Sequence, residues 1–174
     1  MTTERILIAG IGNIFLGDDA FGVEVAQRLA RRRLPDGVRV VDFGIRGLDL
    51  AYALLDDREA VILVDAVARG GQPGTLYVVE PVLEEAGDAA QPGMIEPHAL
   101  TPDKVLRLAR SQGANVKNVL VVGCEPGPLP VADDLQMEMS EPVRAALDEA
   151  VRLIESLVGG LLGRQPALPR RERG

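Results

Sequence analysis

Residues 6–22 read ILIAGIGNIFLGDDAFG. Ile6 to Ala9 is a short continuous apolar run, the pattern of a buried strand. Beyond the aspartates, Phe21, Val25 and Leu29 recur four apart, so a helix is expected over 20–33. A glycine-rich turn between a strand and a helix usually cradles a phosphate on the free N–H groups of the helix start. This turn fails both phosphate fingerprints. The series G-x-G-x-x-G begins with Gly10 and Gly12, but Phe15 stands at the third small position. The series G-x-x-x-x-G-K-[ST] matches at Gly12 and Gly17, but Asp18 and Asp19 replace the lysine and the hydroxyl residue. The lysine would neutralise phosphate charge; two carboxylates repel it. The turn keeps its geometry and reverses its electrostatics, so it suits a cation and no nucleotide.

Working outward, apolar runs alternate with helical patterns. Strands are expected at 6–9, 38–43, 60–65, 75–80 and 118–123, and helices at 20–33, 48–55, 101–110 and 140–157. The turn around Gly44 and Gly47 caps the second helix. Thr101 suits an N-cap with Pro102 at the first helical position, and Ser140 and Pro142 mark the start of the last helix. Continuous rather than alternating apolar strands imply a sheet covered on both faces. The expectation is a single-domain three-layer α/β/α fold with a mostly parallel, twisted five-stranded sheet over residues 1–160. Residues 161–174 end in RQPALPRRERG, a Pro/Arg-rich stretch expected to be a flexible tail. The segments 81–97 and 125–139 read as long irregular loops, which in a compact domain are usually functional or mobile.

Composition narrows the partners. The chain has 174 residues, of which 47% are hydrophobic, enough for one sizeable core. Aromatics are only 3% and Trp is absent, so a stacking surface for sugars or bases is not expected. A net charge of -7 repels phosphate backbones and argues against nucleic acid. A single cysteine, Cys124, forms no intrachain disulfide and fits a reducing compartment. The start MTTERILIAG is not a signal peptide, and no apolar run approaches membrane-spanning length. A cytoplasmic protein is expected.

Asp18 at the helix start reads as a cap for free N–H groups. One aspartate suffices for that, which leaves Asp19 free to hold a cation. In doubly wound sheets the site lies at the carboxyl ends of the strands. Asp65 ends the third strand after VILV, and in the common 2-1-3 order it shares a crevice with Asp19; Asp42 ends the second strand, one further out. The one histidine, His98, precedes a helix on a loop reachable from the same edge. Two carboxylates and an imidazole suit a borderline divalent metal with coordination positions left open. No local ligand motif supports this set, and a lone histidine is also an ordinary packing or surface residue, so both readings stand. A Ser-His-Asp triad finds no serine on a sharp nucleophile turn. A Cys124–His98 dyad is conceivable, but Cys124 equally fills the end of the fifth strand.

Taken together, GIGNIFLGDDAFGV, then VDAVARGGQPGTL after the third strand, then PHALTP resemble the hydrogenase maturation proteases in both order and spacing, over about residues 5–158. The resemblance implies an endopeptidase that clips the C-terminal extension from the large-subunit precursor of a nickel-iron hydrogenase after nickel insertion, the nickel being brought by the substrate. It implies metal ligation by Asp19, Asp65 and His98, with two mechanisms open: the metal polarises the scissile carbonyl or activates water, or Asp19 or Asp65 is the general base while nickel only docks the substrate. Many members carry Glu at the first of these positions, one methylene longer than Asp19. The DFGIRGLDL stretch resembles a family segment beside the cleft, which makes Asp42 and Gly44 substrate contacts. A monomer is expected. A non-enzymatic nickel carrier using the same residues is the rival from another class.

Overall fold

Within the first strand the side chains alternate between two cores. Ile6 and Ile8 face one cluster and Leu7, Ala9 and Ile11 face another, and all are buried. That is why the strand reads as continuously apolar: each side of the sheet is covered by helices. The computed structural model of the chain describes residues 3–82, 101–128 and 138–163.

The elements are β1 (Ile6–Ile11), a 3-10 turn (Gly17–Ala20), α1 (Phe21–Ala30), β2 (Val38–Gly44), α2 (Gly47–Ala53) and β3 (Ala60–Ala66), followed by β4 (Leu76–Val79), α3 (Pro102–Ser111), β5 (Val119–Cys124) and α4 (Glu141–Gly163). The five-stranded sheet has the order β2-β1-β3-β5-β4. Its first four strands are parallel, and β4 runs antiparallel to β5. Helices α1 and α4 pack on one face through Phe21, Leu29, Leu147 and Ile154; α2 and α3 pack on the other through Leu50, Leu54, Val105 and Leu106.

The expected elements are all present. α1 starts later than expected, because residues 17–20 take the tighter 3-10 turn, with Asp19 N–H donating to the Leu16 carbonyl at 3.1 Å. α4 runs on through Gly159 and Gly160, beyond the expected end at Leu157, because Leu161 and Leu162 still find the core. Thr101 holds the extended N-cap backbone before Pro102, but its hydroxyl makes no capping bond. The turn around Gly44 and Gly47 does lead into α2, with Arg46 at the N-cap and no side-chain capping bond.

Two glycines set the approach of α1 to the sheet. A Cβ at Gly10 would meet the Gly22 carbonyl and Ala26, and one at Gly22 would meet the carbonyls of Val64 and Ile11. Their conformational freedom matters less here than their missing side chains. The helix lies directly over β1 and β3, and the turn that feeds it is held at the carboxyl edge of those strands. Gly10 pairs in register with both Asp42 and Val64, so the exits of β2, β1 and β3 lie side by side.

Candidate functional site

Asp65 is the last but one residue of β3, opposite Gly123 of β5, and is 6% exposed. Its Oδ1 accepts a hydrogen bond from the Ala66 N–H at 2.8 Å. Burial pushes its carboxyl well above the usual range, and the negative charge of Asp19 pushes it further. Asp19 is thus near enough for its charge to act on Asp65 at the carboxyl edge of the sheet.

Asp19 sits in the 3-10 turn, and its Oδ2 accepts the Asn13 N–H at 2.9 Å. Gly12 fixes the turn from below. Its φ is +149°, and a Cβ there would collide with the Asp19 carbonyl oxygen. The Gly12 N–H in turn donates to the Gly44 carbonyl at 3.0 Å. Gly44, at φ +53°, thus joins the exits of β2 and β1 through its backbone. Asp42 is half-buried on the same edge. Its carboxylate accepts a bond from Gln27 Nε2 at 3.3 Å, and its carbonyl accepts one from Arg46 at 2.6 Å.

Asp18 departs from its expected role. The 3-10 turn and α1 have no side-chain cap. The Asp18 carboxylate instead accepts the Gly127 N–H at 2.7 Å, the Ser140 N–H at 2.7 Å and the Ser140 hydroxyl at 2.9 Å. The tight turn rotates the side chain away from its own helix, and it ties the exit of β1 to the exit of β5 and the start of α4.

Glu125 carries a similar task and was not singled out in the sequence. It is 5% exposed directly after β5. Its carboxylate gathers the N–H groups of Arg69 at 2.7 Å and Gly70 at 3.1 Å and the Tyr77 hydroxyl at 3.0 Å. These donors, the Arg69 N–H first, hold its carboxyl below the usual range. It pins the connection that leaves Asp65 for β4. The available signal was an acid placed between an apolar strand and Pro126, where a solvated residue gains nothing.

Cys124 is fully buried. Burial, with the charges of Asp18 and Glu125, pushes its thiol up to about 12, so it is no thiolate nucleophile. His98 lies outside the described residues. Among the described residues no three His, Cys, Asp or Glu side chains gather as a metal site, so what is described of the expected donor set is the carboxyl pair. A cavity of about 290 Å³ opens beside Lys117, Asn118 and Gly160, at the start of β5 and the far end of α4, and it holds neither carboxylate of the pair. Among the described residues no helix is long and apolar enough to cross a membrane.

Comparison with known proteins gives a consistent set. A family model described as hydrogenase maturation protease matches residues 23–157. The hydrogenase expression/formation protein HoxM of Azotobacter vinelandii is 36% identical over 154 residues, covering 88% of this chain and 72% of its own length. The hydrogenase 2 maturation protease of Escherichia coli is 34% identical over 155 residues, covering 84% of this chain and 92% of its own. Among solved structures, the hydrogenase maturating endopeptidase HybD from Escherichia coli superposes with a TM-score of 0.68 at 27% identity, over 97% of this chain and 99% of that one.

Proposed function

The chain belongs to the hydrogenase maturation protease family and is a peptidase of that kind; from this premise we propose that it removes the C-terminal extension of a nickel-iron hydrogenase large-subunit precursor after nickel insertion. In this reading Asp19 and Asp65 are the catalytic pair. With His98 they also bind nickel, which arrives as part of the substrate. Asp42 and Gly44 contact the precursor. The enzyme acts in the cytoplasm as a monomer.

The observation that carries the reading is the carboxyl pair itself. Burial, and then the Asp19 charge, raise the Asp65 carboxyl well above its ordinary value, so it holds a proton more readily than a solvated carboxyl does. A carboxylate at this edge serves first as base and then as acid. The ionised member accepts a proton from the attacking water as it adds to the scissile carbonyl. The same carboxyl then gives that proton to the departing amine. Both carboxyls stand at the edge where ligands of doubly wound folds bind.

The same two side chains fit a cation. Two carboxylates and an imidazole form an oxygen and nitrogen donor set suited to a borderline divalent ion. A positive charge between Asp19 and Asp65 offsets both the burial and the repulsion that raise the Asp65 carboxyl. Requiring both nickel and a folded precursor makes cleavage selective for finished substrate.

The test is incubation with nickel-loaded precursor and mass spectrometry of the products. The expected result is a shortened large subunit and a released peptide. A precursor left intact overturns the reading and favours a nickel carrier. His98 is the one imidazole of the chain, so His98→Ala is expected to abolish cleavage with little change in stability.

A further inference from the structure

Among the described residues, the large apolar side chains that stand more than half exposed are Ile14 at 53%, Phe15 at 63%, Leu16 at 51%, Ile45 at 59%, Leu48 at 58%, Tyr52 at 61% and Val82 at 86%. All but Val82 come from two short stretches, the exit of β1 and the exit of β2 running into α2. Scattered single hydrophobes are ordinary on a surface, but a concentration of this kind marks a binding face. In α2 the inward side is already supplied by Leu50, Ala51 and Leu54. Leu48 and Tyr52, four apart, form a second apolar stripe on the outward side.

The two stretches are joined at their roots. The Gly12 N–H bonds to the Gly44 carbonyl, two residues before Ile14 on one side and one before Ile45 on the other. Gly12 also abuts the backbone of Asp19. The apolar surface therefore begins where the carboxyl pair ends. The peptidase activity requires a polypeptide at Asp19 and Asp65, and Gly12 links that place to the roots of both loops. A second copy of this chain is a poor occupant, because each copy carries a net charge of -7.

We propose that the loops leaving β1 and β2, through Ile14, Phe15, Leu16, Ile45, Leu48 and Tyr52, are the docking surface for an apolar stretch of the precursor polypeptide beside the bond to be cut. This rests on the peptidase reading of the carboxyl pair and names the surface that delivers substrate to it. The face supplies affinity, and the carboxyls supply chemistry.

The experiment is steady-state cleavage of nickel-loaded precursor by Phe15→Ser with Leu48→Ser, and independently by Ile45→Ser with Tyr52→Ser, should either pair fail to fold. KM is expected to rise about tenfold or more, with kcat held within about twofold and the melting temperature unchanged. An unchanged KM, or a loss of kcat alone, overturns the proposal. So does a wild-type dimer that these substitutions dissociate, since the face then belongs to a second copy. If the wild type leaves the precursor whole, the peptidase reading fails separately. Interferometry of precursor binding then decides the docking: about tenfold weaker binding by the variants supports it, and equal binding overturns it.

Discussion

Besides Asp42, four carboxyl side chains among the described residues stand at or beside one edge of the sheet, and they divide into two pairs with opposite surroundings. Asp18 and Glu125 are each surrounded by donors: Asp18 accepts three hydrogen bonds from Gly127 and Ser140, and Glu125 accepts bonds from Arg69, Gly70 and Tyr77. Among the described residues Asp19 and Asp65 each accept one backbone bond, from Asn13 and Ala66, and burial, then the Asp19 charge, raise the Asp65 carboxyl. The first pair is satisfied by the protein. The second finds no compensating charge among the described residues, and a proton or a bound cation would supply it. The satisfied carboxylates anchor the loops that present the unsatisfied ones.

The sharpest way to break this contrast is to remove the repulsion. Asp65→Asn is expected to lower cleavage at least a hundredfold or so, while raising the melting temperature at neutral pH. The sign follows from proton binding. The folded-state pKa of Asp65 lies above its unfolded value, so the native state binds the proton more tightly. Its contribution to stability is fully present below the ordinary carboxyl pKa of about 4 and is lost as pH rises through the raised value. Asn removes that loss, and thermal scans across pH check it. Asp19→Asn is expected to abolish cleavage equally and to bring the Asp65 pKa down, as read by carboxyl NMR titration. An unshifted Asp65 in that variant breaks the pairing.

The satisfied pair responds in the reverse sense. Asp18→Ala leaves the N–H groups of Gly127 and Ser140 without their charged acceptor and is expected to cost about 2–4 kcal/mol in urea unfolding. Asp18→Asn restores one oxygen but turns an amide N–H toward a donor, so it is expected to recover part of that loss. A cap of α1 would instead tolerate Asn almost fully.

The comparison also shows what a sequence can carry. The strands were legible because β1, β3 and β5 bury both faces, which leaves unbroken apolar runs, and the 2-1-3 order of the first three follows the common doubly wound topology; the places of β5 and β4 were not read. The meeting of Asp19 and Asp65 was legible for the same reason: strand ends at one edge of a 2-1-3 order place their following residues together. Asp18 was misread because the sequence shows only its neighbours along the chain. Its partners, Gly127 and Ser140, lie more than a hundred residues away. Glu125 was missed because its donors are mostly backbone N–H groups, which have no letter in the sequence. Local chemistry can be read from spacing; long-range acceptors of main-chain hydrogen bonds cannot.

Glu125 gives a milder test. Its folded-state pKa is lowered, first by the Arg69 N–H. The stability it contributes is therefore present above the ordinary carboxyl range and is lost as pH falls through the lowered value. Glu125→Gln is expected to reduce the melting temperature modestly near neutrality and to flatten this acid-side loss. Amide exchange at Arg69 and Gly70 is expected to quicken first, because those groups lose a charged acceptor.

The smallest stability effect belongs to Asp42, which fits neither pair. Its carboxylate has one long bond, 3.3 Å from Gln27, and it is half-buried at the end of β2. Asn keeps that acceptor and fills nearly the same space, so Asp42→Asn is expected to move stability by less than about 0.5 kcal/mol. As a substrate contact, however, its charge is what the precursor meets. The variant is expected to change KM, or the preference between two different hydrogenase precursors, while leaving kcat on the preferred one intact. Asp42 contributes neither the anchoring of Asp18 nor the proton chemistry of Asp65. A kcat defect at Asp42→Asn with unchanged KM would move it into the catalytic pair's company, whereas unchanged kinetics on every precursor would leave it a solvated strand end.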